Sequence, residues 1–124
     1  MDHTKTAVYS RLAFADADRI AEQEQKLLRF AAENGHSDYV CYRDNGESRN
    51  TLDRPGMQEL TKDIIGGRIG TVIILDISRI SRSHILNFEW FQLIIEYGCS
   101  LKSVNNKSWL DMSNYPLARL ICSL

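Results

Sequence analysis

The amino-acid sequence predicts a three-layer α/β fold, a mostly parallel sheet of four or five strands with helices on both faces. Short runs of β-forming residues alternate along the chain with stretches in which apolar residues recur at helical spacing. This alternation favours parallel strands joined by helices. The continuous apolar run at residues 71–75 is typical of a strand that is buried on both faces.

Four strands are predicted, at residues 6–10, 39–42, 71–75 and 100–104. Three helices are predicted, at residues 19–34, 55–65 and 85–97, and a further one begins at residues 116–124. Loops are predicted at residues 11–18, 44–54 and 105–115, the second of them polar and mobile. Pro55 suits a first helical turn, and Gly98 suits a helix end. The apolar positions at helical spacing, Ile65 and Phe88 among them, are interpreted as core.

Size and composition narrow the class of protein. With 124 residues, 44% of them hydrophobic and 25% charged, the chain is typical of one soluble globular domain. The net charge of −1 means that any anion site must be a local cluster. No stretch predicts a membrane span or a signal peptide, which favours a cytoplasmic protein. Cys41, Cys99 and Cys122 are widely spaced and are interpreted as reduced thiols, and neither a metal nor a cofactor is expected.

The segment from Asp76 to Arg82 follows the predicted buried strand directly. It places Arg79 and Arg82 just past the strand's carboxyl end, where open α/β sheets bind their ligands. A guanidinium group is permanently charged, and its planar fork matches phosphate oxygens. The segment therefore indicates a phosphate or phosphodiester site. The alternative is a pair of solvated loop arginines that bind some of the 16 carboxylates in the chain.

Four local patterns together resemble the catalytic domain of the serine recombinases, the family of resolvases, invertases and large serine integrases. They are Tyr9-Ser10-Arg11-Leu12 followed by Ala13, Ile20-Ala21-Glu22-Gln23, the two parts of the mobile segment (44–48 and 52–56), and Ser78-Arg79-Ile80-Ser81-Arg82. Their order and spacing agree with the family over residues 6–104, so the combination is specific although each pattern alone is weak.

The resemblance implies a DNA substrate and a serine hydroxyl that attacks a phosphodiester. The site residues that it assigns are Arg11, Arg54, Arg79 and Arg82 around the phosphate, Gln23 and Asp44 as polar residues that arrange the site, and Ala13 at the nucleophile position. Several cations around one phosphate are what a metal-free phosphoryl transfer requires. For three of these residues an alternative without a role in the site remains open: Arg54 and Asp44 pair only with one another, and Gln23 is an exposed helix residue.

Ala13 departs from the family pattern, because the nucleophilic serine is expected two residues after Arg11. A methyl group cannot attack phosphorus, so the chain as written is expected to be inactive. We favour a deliberate substitution over a naturally silent member, since the surrounding arginines are intact. Ser10 is a poor substitute because strand alternation directs it differently.

The whole chain, residues 1–124, is interpreted as a resolvase-like catalytic domain that stops before or within the long oligomerisation helix of the family, without the DNA-binding domain. The expected partners are DNA at recombination sites and further copies of the full-length protein, as a dimer or tetramer, with no membrane. Two alternatives are a silent DNA-binding or assembly module and a receiver-like signalling domain. Asp76 motivates the second, but Tyr9-Ser10-Arg11 stands where a receiver needs an acidic pair.

Overall fold

The computed structural model describes residues 4–46 and 52–105. Strands and helices alternate along them in the order β1 (Lys5–Leu12), α1 (Ala17–Glu33), β2 (Tyr39–Asn45), α2 (Pro55–Ile65), β3 (Ile69–Ile74), α3 (His84–Glu96) and β4 (Ser100–Ser103). A short 3-10 turn, Ile77–Arg79, lies between β3 and α3. The predicted helix at 116–124 and residues 106–115 of the preceding loop lie outside the described residues.

The four strands form one parallel sheet in the order β2-β1-β3-β4. The larger core cluster joins one face of the sheet to α2 and α3, through residues such as Leu60 and Phe91. The smaller cluster packs Leu27 of α1 against Val8 and Ile73 on the other face. The predicted three-layer α/β fold with helices on both faces is confirmed.

Side chains and glycines define where the helices begin and end. Asp16 accepts a hydrogen bond from the Arg19 amide at the start of α1, and Ser83 does the same for Leu86 at the start of α3. These are the N-caps that a helix start favours. Gly98 follows α3 with a φ of 74°, the left-handed conformation that glycine adopts at no steric cost.

Two interpretations of the apolar pattern are wrong. Phe88 is 38% exposed and Ile65 is 47% exposed, although both were expected in the core. On α3 the buried stripe consists of Asn87, Trp90, Phe91 and Ile94. Phe88 lies outside that stripe, because only one side of the helix faces the sheet.

The pairing of β1 with β3 ends four residues before its pairing with β2. β1 pairs with β2 as far as Leu12, which lies opposite Asn45, but its register with β3 ends at Val8, opposite Ile73. The helices that follow these two strands, α1 after β1 and α3 after β3, pack on opposite faces of the sheet, so a crevice is expected between the ends of β1 and β3. This is the topological switch point, where α/β sheets of this kind place their binding sites.

No helix within residues 4–46 and 52–105 is long and apolar enough to span a membrane. Cys41 is exposed and Cys99 is buried, and both are free thiols. Cys122 lies outside the described part of the chain.

Candidate active site

Arg11 lies within β1 and is only 3% exposed, which corrects the prediction of a loop at 11–18. The neighbouring Leu12 carbonyl accepts a hydrogen bond from Gly46 on the β2 side. Because adjacent residues of a strand direct their backbone groups to opposite sides, the Arg11 amide and carbonyl face the side where β3 has diverged. They need partners other than a strand.

Gln23 of α1 supplies them. Its side-chain oxygen accepts from the Arg11 amide at 3.1 Å, and its Nε2 donates to the Arg11 carbonyl at 3.2 Å. The Gln23 side chain is buried, so the alternative of an exposed helix residue is wrong. A primary amide carries both a donor and an acceptor, and it can therefore replace the main chain of a missing strand.

The Arg11 guanidinium reaches across the crevice to the turn after β3. Nε donates to the Arg79 carbonyl at 3.1 Å and Nη2 to the Ser78 carbonyl at 2.9 Å. In return, Nη1 of Arg79 donates to the Arg11 carbonyl at 3.0 Å. The two arginines, 68 residues apart in sequence, are thus held against each other through neutral backbone oxygens.

Asp76 shapes the turn that carries Arg79. Its Oδ1 accepts hydrogen bonds from the Ser78 amide at 3.0 Å and from the Ser78 hydroxyl. Its Oδ2 lies 3.7 Å from Nε of Arg79, a nitrogen that has no hydrogen-bond partner within the described ranges. Asp76 therefore caps the turn. Residues 4–46 and 52–105 contain no group of three or more acidic, histidine or cysteine residues that could hold a metal.

Arg54 lies beneath this turn and is only 1% exposed. Its Nη1 donates to the Tyr9 hydroxyl at 2.8 Å and to the Arg79 carbonyl at 3.1 Å, and its Nη2 donates to the Ile80 carbonyl. The guanidinium carbon also lies 5.9 Å from the centroid of the Tyr9 ring. The charged fork fixes the main chain on which Arg79 is mounted.

Asp44 is buried on β2, which runs to Asn45, so the loop predicted at 44–54 begins too early. At its other end, residues 52–54 lie in no helix or strand, although Arg54 is buried. Residues 47–51 lie outside the described residues. The Asp44 carboxylate accepts from the amides of Gly56 at 2.7 Å and Met57 at 2.9 Å. The N-terminus of a helix stabilises a nearby negative charge, and here the Asp44 carboxylate anchors the start of α2 to the sheet.

Gly56 allows that approach. A Cβ at this position would lie 2.5 Å from the Arg43 carbonyl oxygen and 2.9 Å from Oδ2 of Asp44. The first turn of α2 therefore comes closer to β2 than any residue with a side chain permits.

Tyr9 is a site residue that the sequence reasoning missed. Its hydroxyl donates to Oδ2 of Asp44 at 2.7 Å and accepts from Arg54. Tyr9 therefore bridges Asp44 and Arg54, for which the sequence left open a simple pairing with each other. Burial, followed by the hydrogen bond to Asp44, raises the pKa of Tyr9, and the phenol stays protonated as the donor. Alternation along β1 could have revealed it, because Tyr9 and Arg11 share one side of the strand.

Ala13 and Arg82 lie at the same edge of the sheet. Ala13 is half-buried in the turn after β1, and Arg82 is exposed three residues beyond Arg79. The Ser10 hydroxyl is completely buried without a hydrogen-bond partner in the described part of the chain. Ser81 is occupied as an acceptor for the Ser83 amide at 2.9 Å. Both serines are buried, whereas Ala13 lies half-buried in the turn after β1.

Arginines at the switch point of an α/β sheet are typical of proteins that bind anions, and comparison with known proteins identifies the family. The family model described as Resolvase, N terminal domain, matches residues 6–124. The chain belongs to this family, the catalytic domains of the serine recombinases. A comparison with curated proteins found no match.

Solved structures agree on the fold. The N-terminal catalytic domain of TP901-1 integrase superposes with a TM-score of 0.83 at 24% identity, covering 97% of this chain and 93% of that chain. A resolvase family site-specific recombinase from Streptococcus pneumoniae gives 0.76 at 21% identity, covering 98% and 85%. The C-terminal catalytic domain of ISC1926 TnpA, an IS607-like serine recombinase, gives 0.74 at 21% identity, covering 84% and 72%.

Proposed function

We propose that this chain is the catalytic domain of a site-specific DNA recombinase in which Ala13 occupies the position of the nucleophilic serine. The observation that carries the proposal is the reciprocal contact between Arg11 and the turn bearing Arg79, next to residue 13 at the carboxyl edge of the sheet. Phosphodiester chemistry needs fixed cations at one point, and this edge gathers them from distant parts of the chain.

In the proposed reaction a serine oxygen at position 13 bonds to phosphorus while the bond from phosphorus to one deoxyribose oxygen breaks. The serine proton is lost, and the leaving oxygen gains a proton. A strand hydroxyl later attacks the phosphoserine and regenerates the serine. The bond energy stays in the enzyme link, so no nucleotide cofactor is required.

The residues divide into two roles by their exposure. Arg79 and Arg82 are the less buried cations and are assigned to the phosphate oxygens, with Arg11 directly behind Arg79. Arg54, Gln23 and Asp44 are positioning residues, since each is buried and bonded to protein groups that carry the site. We expect these three positioning residues to determine the positions of Arg79 and Arg82.

As written, the chain is expected to bind DNA without cutting it, because Ala13 has no nucleophilic oxygen. The test is Ala13→Ser in the full-length protein, incubated with DNA that carries its recombination site. We expect strand cleavage and a covalent protein–DNA adduct that withstands denaturing electrophoresis. Ser10→Ala in the same background is the matched control and should leave cleavage intact.

Two results would redirect the proposal. If Ala13→Ser restores no adduct, the chain is a silent DNA-binding or assembly module rather than a disabled enzyme. If Arg79→Ala or Arg82→Ala in the restored protein causes a large fall in melting temperature as cleavage is lost, the arginines are structural. We expect both variants to lose cleavage without unfolding the domain.

We further propose that residues 1–124 hold the catalytic domain. The full-length protein would act in the cytoplasm as a dimer or tetramer on its DNA sites. With a net charge of −1, this chain alone should bind DNA weakly and with a clear salt dependence, because phosphate contacts dominate such binding. Tight binding that ignores salt in a titration would contradict this. Sedimentation velocity of the full-length protein with DNA tests assembly, and a monomer throughout would exclude it.

A further inference from the structure

Phe14 is 86% exposed, more than any other large apolar side chain that the structure describes. It follows Ala13 directly in the turn after β1. Isolated exposed apolar residues are common on protein surfaces, so the position and the rigidity of the turn decide whether this one is informative.

The turn from residue 13 to residue 16 is held at both ends. The Gly46 amide donates to the Leu12 carbonyl at 2.8 Å, and the Asp16 amide donates to Oδ1 of Asn45 at 2.9 Å. Gly46 has a φ of 92°, and a Cβ there would lie 3.0 Å from Cβ of Ala15. The turn therefore packs against the end of β2, and the outward direction of Phe14 is part of the fold.

The place of Phe14 relative to the reaction follows from chain geometry. Consecutive Cα atoms are about 3.8 Å apart, so a phosphate positioned for attack from residue 13 brings its own nucleotide within reach of the neighbouring ring. The turn itself, Ala13-Phe14-Ala15-Asp16, contains no cation. Phe14 is the large apolar side chain of this turn, so a side-chain contact between the turn and a base would come from its ring.

We propose that Phe14 stacks on the nucleobase next to the phosphodiester that is attacked, and so positions the substrate. Every base presents an aromatic face, and protein side chains both stack on bases and insert apolar wedges at base steps. This inference rests on the proposed function. A contact with a second copy of the chain is less well supported, because one ring flanked by alanines and an aspartate is far smaller than a stable protein interface.

The first experiment observes Phe14 directly. The chain has four phenylalanines, so fluorine NMR of the 124-residue chain labelled with 4-fluorophenylalanine gives few signals, and Phe14→Leu identifies the one from Phe14. We expect this signal to shift on addition of a mixed-sequence 20-mer duplex and to stay in place with an abasic phosphodiester oligomer of the same length. Equal shifts with both would overturn the proposal.

The second experiment measures affinity by fluorescence anisotropy with the same two oligomers. Phe14→Leu should weaken binding of the base-containing DNA roughly fivefold or more, with the slope of affinity against salt unchanged. Arg82→Ala should reduce that slope, because it removes a phosphate contact. Tyr97→Leu is the control: Tyr97 is an exposed aromatic residue at the far end of α3, and its loss should leave affinity unchanged.

The outcomes separate the inference from the function on which it rests. Unchanged affinity in Phe14→Leu, with Arg82→Ala behaving as expected, refutes the role of Phe14 and leaves the proposed function standing. A change in sedimentation without a change in DNA affinity would make Phe14 a subunit contact, and the proposal would be wrong. If the parent chain binds neither oligomer at low salt, the stacking role is refuted, whereas the proposed function is decided by the cleavage test on Ala13→Ser.

Discussion

Replacing Arg54 with methionine should destabilise the fold strongly. The side chain is buried and donates to the Tyr9 hydroxyl and to the carbonyls of Arg79 and Ile80. Methionine fills much of the volume but removes this donor from all three oxygens. The Arg79 carbonyl keeps its hydrogen bond from Arg11, whereas the Ile80 carbonyl and the acceptor side of the Tyr9 hydroxyl lose the bond from Arg54, and each buried unsatisfied group costs about 1–3 kcal/mol. Removing one member of a buried charged network typically costs about 3–5 kcal/mol. We expect the free energy of unfolding to fall by that amount.

Urea-induced unfolding followed by far-ultraviolet circular dichroism measures this loss. The matched control is Arg68→Met. Arg68 has a side chain that is 59% exposed and pairs with Asp63 at 2.9 Å, and a surface ion pair contributes about 0–1 kcal/mol. Arg54→Lys should fall between the two, because one ammonium group keeps the charge without the planar fork that reaches several oxygens.

The reasoning would be refuted if Arg54→Met and Arg68→Met lost the same free energy within error. Arg54 would then contribute no more than a surface arginine, and its proposed role in fixing the turn that carries Arg79 would have no support. A loss of about 3–5 kcal/mol is a large part of the 5–15 kcal/mol by which domains are usually stable, so the two outcomes are easy to distinguish.

Three further variants test other contacts. Gln23→Leu should cost about 1–3 kcal/mol and speed hydrogen exchange at the Arg11 amide; unchanged exchange would contradict the side-chain clamp. Gly56→Ala should lower the melting temperature by several degrees, because a Cβ would meet the Arg43 carbonyl, and an unaltered melting curve would show that α2 can shift without cost. The hydrogen bond from Tyr42, at 2.5 Å, is the main cause that lowers the pKa of Asp63, so the stabilisation by the carboxylate is complete at neutral pH and is lost as the pH falls through the lowered pKa. Tyr42→Phe should therefore differ from the parent in unfolding free energy more at pH 7 than at pH values well below about 4, and a constant difference would be evidence against this linkage.

The order of strands and helices could be predicted from the sequence, and so could the edge of the sheet where the candidate site is proposed. The apolar run before Asp76, the glycine stops and the apolar spacing are local signals, and they suffice for a parallel sheet with ligands at its carboxyl edge. The resemblance added Arg11 and Gln23, which no spacing rule would have joined to Arg79. Their contacts, once visible, explain why these residue types occur there.

The ends of β1 and β2 could not be predicted in the same way. Arg11 and Asp44 are charged, and local reasoning assigns charged residues to exposed loops. Both are nevertheless buried, because partners up to 68 residues away satisfy them. A buried polar network is a property of the assembled fold, and a sequence window around either residue contains no trace of it.

The early parting of β1 and β3 has a consequence for motion. Beyond Val8, β1 is joined to the turn after β3 by the side chains of Arg11 and Arg79, in place of a continuous ladder of backbone hydrogen bonds. Displacing the Arg79 side chain would exchange its hydrogen bond to the Arg11 carbonyl, with a net contribution of about 1 kcal/mol, and would leave the paired strands and the contacts of Arg54 untouched. The Arg79 side chain can therefore adjust to a bound phosphate, if the proposed function holds, while the sheet and the backbone of the turn stay in place.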